Sequence, residues 1–183
     1  TPATGRGGAG GAAAARRYEV MDLATGEKSS VANANSAKFA KKSPWVAIRA
    51  NKAVADAKHN GADLILRNLA TGTVRNIGNV NLYEFDAKGR FLAYTVDAAE
   101  RLGNGVYLID LRKDETRVLS SAARDYDQLV FSDSGNHLAV LKGDKATDRK
   151  QKDNVVLAWM GLDTPAVRAF EYDPSKDATF STG

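Results

Sequence analysis

The sequence predicts an all-β fold, a partial β-propeller of about three and a half four-stranded antiparallel blades with a repeat of ~46 residues. Three observations carry this expectation. The stretches Phe39-Ala-Lys-Lys-Ser-Pro-Trp-Val-Ala47, Phe85-Asp-Ala-Lys-Gly-Arg-Phe-Leu-Ala93 and Phe131-Ser-Asp-Ser-Gly-Asn-His-Leu-Ala139 align without a gap at a spacing of 46 residues. Leu23-Ala-Thr-Gly26 returns unchanged as Leu69-Ala-Thr-Gly72, in the same phase. Between these markers run short alternating apolar and polar stretches bounded by turn residues, the pattern of half-buried strands. A long fixed period of such content marks stacked units that bury their apolar faces against each other.

Taken in order, residues 1–15 are mostly Gly and Ala with one Arg, too poor in apolar surface to offset the entropy of ordering. They read as a flexible linker or insert. Blades fill 16–177. A half blade, 16–31, alternates over Tyr18-Glu-Val-Met-Asp-Leu23, turns at Ala24-Thr-Gly26 and continues as a polar strand. The blade at 36–77 ends in the hairpin Asp63–Leu69 with Thr73–Ile77. In the blade at 80–121, Asn81–Phe85, the turn Asp86–Gly89 and Arg90–Val96 precede the outer pair Gly105–Leu111 and Thr116–Leu119. The blade at 126–172 repeats this with Asp127–Phe131, Ser132–Gly135, Asn136–Leu141 and Asn154–Met160, and 178–183 is expected to be a truncated end. Gly26 and Gly72 supply the positive φ that a tight hairpin needs. Small Ala47, Ala93 and Ala139 allow neighbouring sheets to approach, and Phe39, Phe85 and Phe131 fill the space between faces. Asn51–Asn60 and Lys142–Asp153 are expected as exposed loops between second and third strands. Propellers close with about four to eight blades. An open ring leaves strand edges unpaired, so the native polypeptide is expected to continue on both sides.

The bulk composition sets few limits. The 183 residues are long enough for one core, and 43% hydrophobic with 26% charged residues is ordinary globular composition. The net charge of +4 is spread with both signs mixed, which indicates neither a nucleic-acid nor a membrane partner. The absence of cysteine removes disulfides and thiol chemistry. No apolar run approaches the roughly 18 residues of a membrane-spanning helix.

Candidate chemistry resolves into structural roles. A formal Gly-x-Gly-x-x-Gly at Gly5, Gly7 and Gly10 lacks the preceding strand and following helix of a dinucleotide site. The single Gly-Arg-Gly-Gly within it is too brief for an arginine–glycine RNA-binding segment. No Gly-x-Ser-x-Gly elbow occurs, and Ser134 sits in a repeat turn where the preceding copy has Lys88. His137 takes the repeat position of Trp45 and Phe91 and reads as a structural ring, and His59 stands in a loop without a partner. Asp125-Tyr-Asp127 lacks the Gly and distal Glu of a calcium loop and reads as a strand-entry turn. The charges of Lys142–Asp153 nearly balance, as in a solvated loop rather than a phosphate patch. No catalytic, cofactor-binding or metal-ligating residue is assigned, and no cofactor is expected.

Arg17-Tyr-Glu-Val-Met-Asp-Leu-Ala-Thr-Gly26, Arg67-Asn-Leu-Ala-Thr-Gly72, Phe91-Leu-Ala-Tyr-Thr-Val-Asp-Ala98, Gly103-Asn-Gly-Val-Tyr-Leu-Ile-Asp-Leu111, Leu138-Ala-Val-Leu-Lys-Gly143 and Asp153-Asn-Val-Val-Leu-Ala158 carry a resemblance. Residues 16–177 resemble the N-terminal β-propeller of prolyl-oligopeptidase-type (S9 family) serine peptidases, most nearly the large bacterial members with Gly/Ala/Arg-rich inserts. The resemblance implies a non-catalytic segment that caps an α/β-hydrolase domain downstream, gates its active site and restricts substrates to peptides. The catalytic Ser, Asp and His of that family lie on the hydrolase domain, and nothing here matches their motifs or the paired glutamates that hold a substrate's amino terminus. A periplasmic or secreted location follows from the resemblance alone. The alternative is a TolB- or WD40-like scaffold that binds a protein partner without chemistry. A third reading is an RNA-associated protein acting through the basic glycine-rich residues 1–15.

Overall fold

The computed structural model describes residues 16–53, 58–145 and 152–179. A two-stranded sheet joins β1 (Tyr18–Met21) and β2 (Lys28–Val31). A seven-stranded sheet runs β3 (Ala34–Phe39), β4 (Trp45–Ala50), β5 (Ala62–Asn68), β6 (Val74–Phe85), β7 (Phe91–Val96), β8 (Gly105–Asp110), β9 (Glu115–Ser121). The third sheet holds β10 (Asp125–Phe131), β11 (His137–Lys145), β12 (Lys152–Met160) and β13 (Arg168–Tyr172). Within each sheet every strand pairs antiparallel with its chain neighbours, giving three open meanders: a partial propeller. Among the described residues the only helical turns are the short 3-10 segments Ala99–Arg101 and Pro174–Lys176.

Two blades share β6. Its first half, Val74–Ile77, pairs with Arg67–Leu64 of β5, while Val80, Tyr83, Glu84 and Phe85 pair with Val96, Tyr94, Ala93 and Leu92 of β7. The sequence predicts two strands here; the chain makes one strand with a break in the middle. Asn79, at φ 56°, supplies the break. Asn visits the left-handed region more readily than other side chains because its short polar side chain can hydrogen-bond locally. Asn33, at φ 54°, makes the same step from β2 into β3. Its carbonyl accepts from Asn51 at 2.8 Å as that of Asn79 accepts from Asp97 at 2.9 Å.

The hairpin tips are built by local chemistry. Asp22 Oδ1 accepts from the amides of Ala24 and Thr25, and Asn68 Oδ1 from those of Ala70 and Thr71, closing equivalent side-chain turns. Gly26 and Gly72, both at φ 74°, complete them. In the third copy Asp110 Oδ1 takes the Arg112 amide, and Asp114, at φ 57°, replaces the glycine.

Apolar residues collect between successive blades. Tyr83, Phe85, Leu92, Tyr94 and Ile109 of the second whole blade face Trp45, Ala47, Leu64 and Leu66 of the first. Its other face, with Phe91, Ala93, Val106 and Leu108, meets Tyr126, Leu138, Val140, Leu157 and Trp159. Alternation along each strand thus serves both neighbours. A buried leucine or phenylalanine contributes about 1.5–3 kcal/mol, so these two layers hold the stack together.

Several expectations need correction. Phe39, Phe85 and Phe131 share one register, opposite Val46, Leu92 and Leu138. Phe85 is 8% exposed and Phe131 packs against the second layer, but Phe39 is 63% exposed. On its side only the two strands β1 and β2 precede it among the described residues, so no inner strand covers the ring. Lys142–Asp153 is not a loop throughout. β11 continues to Lys145 and β12 starts at Lys152, pairing Lys142 with Val155 and Gly143 with Asn154. Gly143 permits this, since a Cβ there would lie 2.2 Å from the Asp153 carbonyl oxygen. Asp125-Tyr-Asp127 belongs to strand β10, with Tyr126 buried, rather than to a turn. The glycine motif at residues 5–10 lies outside the described residues, as do 54–57 and 146–151 of the expected loops.

Candidate functional site

The innermost strands β3, β6 and β10 end side by side, and their ends line a groove of about 600 Å³. Repeat-equivalent residues supply its walls: Lys38, Glu84 and Val130 at one level, Phe39, Phe85 and Phe131 at the next. Lys41, Ala87 and Asp133 add the level of the following turns. Each set holds one register because each strand pairs with the following strand in the same way.

The groove mixes apolar side chains with charged ones. Phe39 and Val130 (56% exposed) present hydrophobic surface to solvent. Lys38 Nζ donates to Glu84 Oε2 at 2.5 Å and to the Tyr83 carbonyl at 3.3 Å, and lies 5.1 Å from the Tyr83 ring centroid. Burial pushes the Tyr83 phenol above its ordinary pKa, although Ser36 and Lys38 oppose the shift. Tyr83 Oη and Ser36 Oγ are 3.0 Å apart. Such a surface suits an extended segment with apolar and charged side chains.

A second cluster locks blades rather than lining a cavity. The carboxylate of Asp86 is wholly buried. Its Oδ1 accepts from the amides of Arg90 at 2.5 Å and Phe91 at 2.8 Å, and its Oδ2 from Arg90 Nε at 3.1 Å. Arg90 reaches onward to Asp163 Oδ2 at 3.2 Å, Asn136 Oδ1 at 2.8 Å and the Ser134 carbonyl at 3.3 Å, so one guanidinium ties two blades. Arg90 and Arg112 both lie over the Phe91 ring, 5.2 and 5.3 Å from its centroid. Burial opposes the charge of Asp110, but hydrogen bonds from the Arg112 side chain and backbone outweigh it and hold the carboxyl below its ordinary pKa.

The residues weighed from the sequence for chemistry stay apart. Ser134 Oγ lies 3.1 Å from Ser132 Oγ and accepts the Asn136 amide at 3.3 Å. His137 opens β11, and its Nδ1 accepts the Gly161 amide at 3.4 Å. His59 Nδ1 is buried without a hydrogen-bond partner in the loop before β5. Among the described residues, neither serine meets an imidazole. Sequence reasoning missed both the Lys38–Glu84 brace and the Asp86–Arg90 clamp. The 46-residue offset held a signal for the first, because opposite charges stand at equivalent positions.

No family profile matches the sequence, and no curated protein matches it. Solved structures do resemble the fold. The β-propeller domain of the Trilobed protease from Pyrococcus furiosus aligns with a TM-score of 0.52 and 16% identity, over 75% of this chain and 42% of that one. Porphyromonas gingivalis dipeptidyl peptidase 4 aligns at 0.53 and 8% identity, over 74% of this chain and 25% of its own. Kuenenia stuttgartiensis hydrazine synthase aligns at 0.51 and 14% identity, over 85% and 47%. The chain therefore spans less than half the length of each of these three structures, and the likeness is one of fold.

Proposed function

We propose that the chain is a non-catalytic propeller segment of a prolyl-oligopeptidase-type serine peptidase, set over an α/β-hydrolase domain that carries the reaction. The observation that carries this reading is the open propeller with its regular 46-residue step, in a fold shared with the propeller domain of a protease. The sequence resemblance adds support. In this role the blades act by exclusion. Short or unfolded peptides pass to the active site, and folded proteins do not. The groove at the ends of β3, β6 and β10, with its exposed Phe39 and Val130, is the surface such a peptide meets along the inner strands.

The test is made on the polypeptide that joins these blades to a hydrolase domain. Cleavage of a short peptide and of a folded protein is compared with and without residues 16–177. Removal is expected to raise attack on the folded protein relative to the peptide. An unchanged ratio refutes gating, and turnover by the 183-residue chain alone refutes the non-catalytic role. The second reading, a binding scaffold without chemistry, draws on the recurrence of the fold in hydrazine synthase. It predicts capture of a protein partner by the blades with no hydrolase domain in the same polypeptide.

A further inference from the structure

The groove at the ends of β3, β6 and β10 is lined by five charged side chains, and three of them are already neutralised. Lys38 pairs with Glu84, and Asp86 with Arg90. Two charges are left over. The side chains of Lys41, on the turn after β3, and Asp133, on the turn after β10, have no ion pair or hydrogen bond among the described residues. They take equivalent places in the repeat, with Ala87 between them on the turn after β6. Alanine has neither charge nor reach, so this row runs positive, neutral, negative across the three blades.

The backbone under both charges is fixed by close packing onto the middle blade. Gly89 lets the middle turn sit against the first, since a Cβ there would fall 2.0 Å from the Lys41 carbonyl oxygen. Gly135 lets the third turn sit against the middle one, where a Cβ would fall 2.6 Å from Asp86 Oδ2. Arg90 secures the same contact by donating to the Ser134 carbonyl at 3.3 Å. Both flanking turns are thus referenced to the turn Asp86–Gly89, whose buried carboxylate is itself held by the Arg90 and Phe91 amides. The dipole of the row is therefore built into the stack.

We propose that this row binds a short peptide with both termini free and sets its direction, the α-amino group at Asp133 and the α-carboxylate at Lys41. The inference deepens the peptidase reading and rests on it: the occupant is an incoming substrate of the hydrolase domain. Opposite charges at the two ends of a groove orient a zwitterion, because the reversed peptide places each terminus against its like charge. Between the ends the peptide crosses Phe39, Phe85 and Phe131, apolar surface that displaces water and strengthens both pairs relative to open solvent. Lys38 and Glu84, neutral as a unit, add no competing charge. An internal segment of a folded protein offers no free termini. Charge therefore favours short peptides at the same place where the width of the ring excludes folded chains.

The probe is the synthetic pentapeptide Ala-Phe-Gly-Val-Ala with free termini, titrated at low salt into the 183-residue chain and followed by amide chemical shifts. Saturable binding is expected, with shifts centred on the turns of Lys41, Ala87 and Asp133. Acetylating the amino terminus or amidating the carboxyl terminus is each expected to weaken binding about threefold to fivefold. Added salt of about 0.5 M is expected to erase both effects. Two variants assign the ends. Against Asp133→Asn, acetylation is expected to change nothing while amidation keeps its effect, and against Lys41→Gln the reverse is expected. Equal binding of the free and the doubly blocked peptide to the parent chain, or the opposite assignment of ends, overturns the proposal and leaves the groove a peptide site. If no peptide binds, the proposal and the groove's part in the peptidase reading fall together.

Discussion

Lys38 and Glu84 stand 46 residues apart, at the same place in successive repeats, and their side chains meet as an ion pair between adjacent innermost strands. Both side chains are more than two-fifths exposed. Solvent screening then limits their coupling to about 0–1 kcal/mol. A double-mutant cycle with Lys38→Ala and Glu84→Ala, followed by urea unfolding, is expected to return a coupling in that range that shrinks with added salt. Coupling well above it, unmoved by salt, shows that the pair is shielded from solvent.

Asp86 is the opposite case. Its buried carboxylate satisfies the Arg90 and Phe91 amides and anchors the guanidinium that spans two blades. Asp86→Ala leaves those donors unmatched and is expected to cost about 3–5 kcal/mol. Asp86→Asn retains an acceptor and is expected to cost less. If both variants unfold at the parent's urea midpoint, the clamp contributes nothing to the stack.

Glycines of like φ respond differently to a methyl group. At Gly26 and Gly72 (φ 74°) an added Cβ meets nothing within 4 Å, so alanine costs only the left-handed backbone penalty of about 1–2 kcal/mol. At Gly89 (φ 66°) the same Cβ falls 2.0 Å from the Lys41 carbonyl oxygen. A further ~1–3 kcal/mol is expected there from overpacking. Thermal unfolding of Gly26→Ala, Gly72→Ala and Gly89→Ala checks the order. A Gly89→Ala protein as stable as the other two contradicts the close approach of the two inner turns.

Acid should weaken the fold partly through Asp110. Its carboxyl pKa is lower folded than unfolded, so its stabilisation is complete above the unfolded value of about 3.9 and is lost as pH falls through the folded one. Asp22, held low by the Thr25 and Ala24 amides, acts in the same direction. Asp110→Asn is therefore expected to flatten the decline in stability below about pH 4 without abolishing it. An acid limb parallel to the parent's removes Asp110 from the account.

What the sequence disclosed was local or periodic. Leu23–Gly26 and Leu69–Gly72 announce their hairpins because Asp22 and Asn68 bond amides two and three residues ahead and a glycine follows. The register of Phe39, Phe85 and Phe131 is likewise legible, since equal spacing requires equal strand pairing. Their burial is not, because the cover for each ring comes from the preceding blade. Nor is the clamp: Asp86 heads an unremarkable turn, and Arg90 finds Asp163 across 73 residues. The charged stretch from Lys142 resembled a loop because it lacks apolar alternation, yet β11 and β12 extend through it by backbone pairing. The groove follows from stacking three inner strands, and no single segment encodes it.

The account turns on β6 leaving one blade and entering the next. Cross-strand Hα contacts measured by nuclear magnetic resonance test this directly on the 183-residue chain. Contacts of Ile77 with Leu64 and of Tyr83 with Tyr94 are predicted in the same molecule, one on each side of the bend at Asn79. If Ile77 and Tyr83 both pair with β5, or helical contacts replace them, the blades do not stack in this way.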